Sequence, residues 1–202
     1  FFLRKKDLSV KMRTQRLVDG LTSPAESTIT FLGKLSHNDT MPIKGAGFTV
    51  AKLLGRPSPE YISGCVFYLS PGNYHYVHAP CDMVVHSYYE LPGKLRSVAP
   101  SLIDEHPNLY GENLRHVLLG KTNTGVPVAL VLVGAKNVGE ISCPKLEGLA
   151  EGDEVSYSKG EMVGYFSIGS TVVMLLGEDP VWNDIKEGMS VDVLDPICQL
   201  EG

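Results

Sequence analysis

The chain of 202 residues has a hydrophobic content of 43%, a charged content of 20% and a formal net charge of −5, the composition of a globular domain long enough to bury a core. No run of about 18 apolar residues occurs, so no segment has the makings of a membrane-spanning helix. No basic face interleaved with aromatics supports binding to nucleic acid.

The first sixteen residues hold Arg4, Lys5, Lys6, Lys11, Arg13 and Arg16 against Asp7, which leaves 12 basic and 22 acidic residues for the rest. Residues 1–21 therefore read as a basic leader, helical from about Lys11 to Leu21. It is expected either to face an anionic membrane surface or a partner, at about 1 kcal/mol per cation, or to be simply solvated. The chain starts at Phe1 rather than at methionine, so an upstream targeting segment or membrane anchor, removed or left out of this sequence, is an expectation.

Beyond the leader the pattern is mostly that of strands. Thr28 to Leu35 alternates, with Ile29 and Phe31 expected on one face. A short helix fits Phe48 to Leu54. Cys65 to Leu69 is an apolar run stopped by the turn cluster Ser70-Pro71-Gly72-Asn73. Val126 to Val133 and Thr171 to Leu176 read as buried strands. The pairs Pro92-Gly93, Glu151-Gly152 and Glu187-Gly188 punctuate the chain, and its 21 glycines and 13 prolines favour many turns. Cys65, Cys81, Cys143 and Cys198 form no Cys-x-x-Cys pair and read as small core residues. The expected fold is a single mainly-β domain over residues 22–202, of twisted antiparallel sheets or a barrel-like sandwich with a few short helices.

Three segments carry the chemistry. Thr22-Ser23-Pro24-Ala25-Glu26-Ser27 supplies an acid. In Leu69 to Pro80, His75 and His78 follow the turn; both titrate near neutrality and can move protons. In an extended chain they face opposite sides, and in a tight turn they converge. A metal site of His75, His78 and Cys81 would need a fourth group that the sequence does not signal. The third segment runs from Lys159 to Val173 and contains Gly169-Ser170-Thr171. A serine beside a strained peptide bond can attack the preceding carbonyl once a base removes its proton, and the Gly-x-Ser-x-Gly elbow of a serine hydrolase is missing there. A lipoyl or biotinyl carrier would need a lysine in a tight hairpin, whereas Lys11-Met12 lies in the leader.

Taken together, these segments resemble the phosphatidylserine decarboxylase family. Gly164-Tyr165-Phe166 followed by Gly169-Ser170-Thr171-Val172-Val173 is similar to the family's processing site, and Tyr74-His75 with His78 and Pro80 to its histidine motif. Lys44-Gly45, Pro92-Gly93-Lys94-Leu95 with Ser97-Val98, and Val133-Gly134-Ala135 match in the same order, from about Thr22 onward. The resemblance implies that Ser170 attacks the Gly169 carbonyl, that His78 is the base and that Glu26 orients it, as in a serine–histidine–carboxylate relay. Cleavage would leave a β part, 22–169, and an α part, 170–202, headed by a pyruvoyl group made from Ser170. That cofactor would draw electrons as phosphatidylserine loses carbon dioxide to become phosphatidylethanolamine, with His75 returning a proton. No metal is implied. The implied surroundings are a membrane surface, peripherally on the mitochondrial or bacterial inner membrane, with a homo-oligomer or other membrane-complex subunits as partners.

The chain departs from the family pattern in the shell around these groups. Glu26-Ser27 stands where aspartate-glycine is usual, Asn73 where an acid precedes Tyr-His, Tyr76 where arginine is usual, and Met83 where glycine follows the histidine motif. The alternative reading is an uncleaved, inactive relative that serves as a structural subunit of a membrane complex.

Overall fold

A computed structural model describes residues 6–35, 40–43, 46–98, 109–136, 140–167 and 169–200, the backbone alone at 42, 43, 46 and 47. Arg4, Lys5, Lys44-Gly45 and Ile168 lie outside the described residues. In chain order the elements are α1 (Ser9–Gln15), β1 (Leu21–Thr22), β2 (Ser27–Lys34), β3 (Thr40–Ile43), β4 (Ala46–Thr49), α2 (Val50–Leu54), β5 (Ser63–Leu69), β6 (Tyr76–His78), β7 (Met83–Leu91), α3 (Leu109–Glu112), β8 (Arg115–Thr122), β9 (Pro127–Val133), β10 (Ile141–Ser142), β11 (Val155–Tyr157), β12 (Met162–Phe166), β13 (Ser170–Leu176), β14 (Val181–Trp182), β15 (Ser190–Val191) and β16 (Pro196–Gln199). The fold is mainly β, as its composition and punctuation imply.

An antiparallel sheet in the order β11-β7-β8-β9-β13-β5-β2-β15 carries the core. Strand β13 lies between β9 and β5, and all seven of its residues are buried. Its sequence shows no polar alternation because both faces are covered, and β-branched residues suit such a position. Its pairing is uneven at one end: Ser170 opposes Leu69 of β5, whereas pairing with β9 begins only at Thr171, opposite Val133. Smaller sheets, β10-β12-β6 and β1-β16-β14, and the hairpin β3-β4 complete the layers. All four cysteines are buried and unpaired, as expected of small core residues.

The structure corrects three local expectations. The leader helix covers Ser9–Gln15, not Lys11 to Leu21, because Leu21 joins β1 opposite Cys198 and is buried in the main core. Helix α2 begins at Val50, with Phe48 in β4; Thr49 Oγ1 accepts from the Lys52 amide and Gly55 closes the helix in a left-handed conformation (φ 71°). Ile29 and Phe31 do not share a face. A bulge at Thr30 sets Ile29 opposite Phe67 and Phe31 opposite Val66, and since these two neighbours on β5 face opposite ways, so do their partners.

The leader is docked on the body. Leu8 is buried with Tyr74, Val193 and Leu194, and Met12 and Tyr76 pack against them. Lys11 pairs with Asp195 at 2.8 Å and the Arg16 Nε donates to the Lys159 carbonyl at 3.1 Å.

Candidate active site

The turn that ends β5 is built around Asn73. Its amide donates to the Ser70 carbonyl at 3.0 Å, and its side-chain Oδ1 accepts from the Ser70 amide at 2.8 Å and the Ser70 hydroxyl at 2.7 Å. An asparagine bonding back to its own turn in this way fixes the exit direction of the chain. The chain then runs extended into β6, which pairs with β12. Alternation puts Tyr74, Tyr76 and His78 on one face; the Tyr74 ring lies 5.1 Å from that of Tyr76 and 5.7 Å from that of His78. His75 points to the other side, the outcome expected of an extended chain.

Both histidines are buried, and each has its Nδ1 against a backbone carbonyl. His75 meets the Asn73 carbonyl at 2.7 Å and His78 the Gly160 carbonyl at 2.8 Å. A carbonyl only accepts, so Nδ1 carries a proton in both rings, and in a neutral ring Nε2 is then the basic nitrogen. The His78 Nε2 accepts from the Tyr74 hydroxyl at 3.0 Å. Burial holds the pKa of His78 below its usual 6.5, against the opposing pull of the Gly160 carbonyl. Burial also pushes the Tyr74 phenol up to about 12, so it remains a donor at neutral pH.

Glu26 takes a different place from the one the relay implies. Its Oε1 accepts from the Asn73 side-chain amide at 3.0 Å and its Oε2 from the Tyr74 backbone amide at 3.3 Å. Its cationic partner is Lys6 of the leader, which also pairs with Asp192 at 2.8 Å and sits 5.8 Å from the centre of the Tyr74 ring. Burial raises the pKa of Glu26, but the hydrogen bonds from Lys6 and Asn73 outweigh it and hold the carboxyl below its ordinary value. The two described contacts of the His78 ring nitrogens are thus Gly160 and Tyr74, while Glu26 braces the turn that carries both histidines.

Ser170 is fully buried, and its hydroxyl makes no hydrogen bond among the described residues. Its strand partner Leu69 directly precedes Ser70, so the serine and the Asn73 turn share one end of β5. A Cβ on Gly169 would meet Pro71 of that turn at 3.5 Å, an ordinary contact. The three segments singled out in the sequence are therefore assembled. The His78 amide donates to the Pro24 carbonyl at 2.8 Å, the Phe166 amide donates to the His75 carbonyl at 3.0 Å, and Met162 pairs with His78.

Tyr74, Lys6 and the bracing role of Asn73 were not read as functional. The spacing of Tyr74 and His78, four apart in an extended stretch, was the available signal for the first; Lys6 had none, being 20 residues from Glu26 in a different element. A cavity of about 810 Å³ lies elsewhere, lined by Arg16, Asp19, Cys81, Asp82, Lys159 and Glu178 among others, and by none of Ser170, His75, His78 or Glu26. Among the described residues no helix is long and apolar enough to cross a membrane, which says nothing of a β-barrel.

Comparison with known proteins bears on the whole chain. The family model described as phosphatidylserine decarboxylase matches residues 1–198. A phosphatidylserine decarboxylase proenzyme of Coxiella burnetii is 33% identical over 202 residues, covering 91% of this chain and 70% of the relative. The proenzymes of Vibrio parahaemolyticus (33% over 209 residues, 92% and 72% covered) and Alkalilimnicola ehrlichii (33% over 196 residues, 86% and 68% covered) are similar to it as well. These relatives are bacterial, and nothing in them supports the mitochondrial placement. A match of this extent, on a chain that folds its acid, histidine and Gly-Ser segments together, shows that the chain belongs to the phosphatidylserine decarboxylase family.

Proposed function

We propose that this chain is the precursor of a phosphatidylserine decarboxylase that cuts itself between Gly169 and Ser170. The observation that carries the reading is the Ser170 hydroxyl: buried, without a hydrogen bond among the described residues, at the entrance of β13 directly after a glycine. A buried hydroxyl left unpaired has a cost of about 1–3 kcal/mol, and use of its reactivity is an explanation that also accounts for its place directly after Gly169. Gly169 itself is not demanded by packing, since a Cβ there would fit.

In the cleavage step the Ser170 oxygen adds to the Gly169 carbonyl carbon as its proton passes to a base, His78 in this proposal. The carbonyl–nitrogen bond then breaks and leaves an ester between Gly169 and Ser170. Loss of the Ser170 α-proton expels the Gly169 carboxylate, and hydrolysis of the unsaturated residue releases ammonia and yields the pyruvoyl group. The residues fit this group: Ser170, whose Cα and Cβ would become its keto carbon and methyl, carries the buried hydroxyl that attacks and is expelled with the Gly169 carboxylate. When formed, the group serves as an electron sink for loss of carbon dioxide from an amino acid headgroup.

The chain's own residues supply the protons and the shape. His75, with Nδ1 held by the Asn73 carbonyl, has Nε2 as the nitrogen that takes up and returns a proton at the substrate carbon. Burial of both histidines keeps bulk water from that exchange. Phosphatidylserine is the proposed substrate, which puts the reaction at a membrane surface, and phosphatidylethanolamine the product.

Ser170→Ala tests this reading. The variant is expected to remain one chain and to release no carbon dioxide from phosphatidylserine in mixed vesicles, while the unaltered protein is cut in two and releases it. Decarboxylation by Ser170→Ala would sink the pyruvoyl mechanism.

A further inference from the structure

Resting on the cleavage reading, we infer that Tyr74 is the positioning residue of His78 in the uncut chain, holding the basic nitrogen away from Ser170, and that the leader holds Tyr74 in turn. A general base must offer its lone pair to the proton it removes. The His78 Nδ1 proton is committed to the Gly160 carbonyl and its Nε2 lone pair accepts from the Tyr74 hydroxyl. The two groups that cleavage must join are therefore kept apart in a specific way: the Ser170 hydroxyl has no hydrogen-bond partner among the described residues, and the base is bonded to another donor.

Tyr74 is fixed from three sides. Its ring is packed in a cluster with Leu8 of the leader and with Val193 and Leu194. Lys6 lies over the ring at 5.8 Å, a cation–π arrangement. Its backbone amide donates to Glu26, which Lys6 also engages. The leader's contacts thus converge on the residue that occupies the base, so the state of the leader and the state of His78 are coupled through one side chain. Displacement of residues 6–12 from the body would release the ring, and Nε2 with it. On this inference the leader sets when the chain is cut and not whether it can be cut.

The test follows cleavage of freshly synthesised full-length chain over time, read as appearance of the fragment that ends at Gly169. Tyr74→Phe keeps the ring and removes only the hydroxyl. One hydrogen bond of ordinary strength corresponds to roughly a two- to tenfold change, so Tyr74→Phe is expected to cut about two- to tenfold faster than the unaltered chain. Leu8→Ala, which loosens the ring's packing, is expected to shift the rate in the same direction. Equal or slower cutting by Tyr74→Phe would overturn the inference while leaving the cleavage reading intact.

A second readout does not depend on cleavage. In the Ser170→Ala chain, nitrogen NMR of the histidines is expected to show His78 neutral and protonated on Nδ1, with an Nε2 resonance that moves when Tyr74→Phe is added. An unmoved resonance would contradict the inference even if no chain, altered or not, is ever cut. In that event the cleavage reading fails separately.

Discussion

At the scale of single residues, the departures from the family pattern compensate one another. Asn73 donates its side-chain amide to Glu26 at 3.0 Å, a bond that a carboxylate at position 73 could not make. Asn73→Asp would set two acids against each other and is expected to cost about 1–3 kcal/mol at pH 7. Because the pair would keep a proton more readily, the loss should shrink near pH 4–5; urea unfolding of the Ser170→Ala chain at both pH values measures it. His78 gives a second dependence on pH. Burial places its folded pKa below the usual 6.5, so the folded chain binds fewer protons than the unfolded one. The stability this provides is present above about pH 6.5 and is lost as the pH falls below it. Exchanging His78 for Gln should flatten that decline between pH 7 and 5.5. The identities of Ser170, His75, His78 and Glu26 were legible in the sequence; their partners were not. Hydrogen bonds such as His78 to Gly160, 82 residues apart, depend on strand register that no local pattern encodes.

At the scale of elements, the strands of the core were legible because a buried run of β-branched and aliphatic residues has few other solutions. Strands β5, β9 and β13 lie within a residue or two of the runs that announced them. The bulge at Thr30 was not, since it arises from pairing with β5 and not from the composition of β2. Nor was the early end of α1, which is settled when β16 claims Leu21. Two glycines separate structural from chemical demands. A Cβ on Gly164 would meet the Ser142 carbonyl at 2.6 Å and the Cys143 sulfur at 2.9 Å, so Gly164→Ala must push β10 from β12. It is expected to destabilise the chain by about 1–3 kcal/mol. Gly169→Ala meets only ordinary contacts and should change stability by less than about 0.5 kcal/mol while slowing cleavage. Thermal unfolding of both variants in the Ser170→Ala background, beside a cleavage time course, distinguishes the two demands.

At the scale of the molecule, charge complementarity joins the leader to the body. The basic segment and acidic remainder visible in the sequence meet as Lys6 with Glu26 and Asp192, and Lys11 with Asp192 and Asp195. Exposed pairs of this kind contribute about 0–1 kcal/mol each and are screened by salt, so burial of Leu8 is expected to provide much of the holding. Lys6→Glu with Lys11→Glu should expose the leader to limited proteolysis, with the body unchanged; equal protection of both chains would show that these charges do not hold it. Docking also leaves Val10 and Leu17 exposed, at 67% and 89%, on the outward side of the same segment. The central claim concerns one peptide bond in this assembled fold. Denaturing mass spectrometry of the purified native protein tests it most directly. Two fragments divided between Gly169 and Ser170, the second headed by a pyruvoyl group, are the expected result. A single unbroken chain that still carries Ser170 as serine would contradict it and leave the structural-subunit reading in its place.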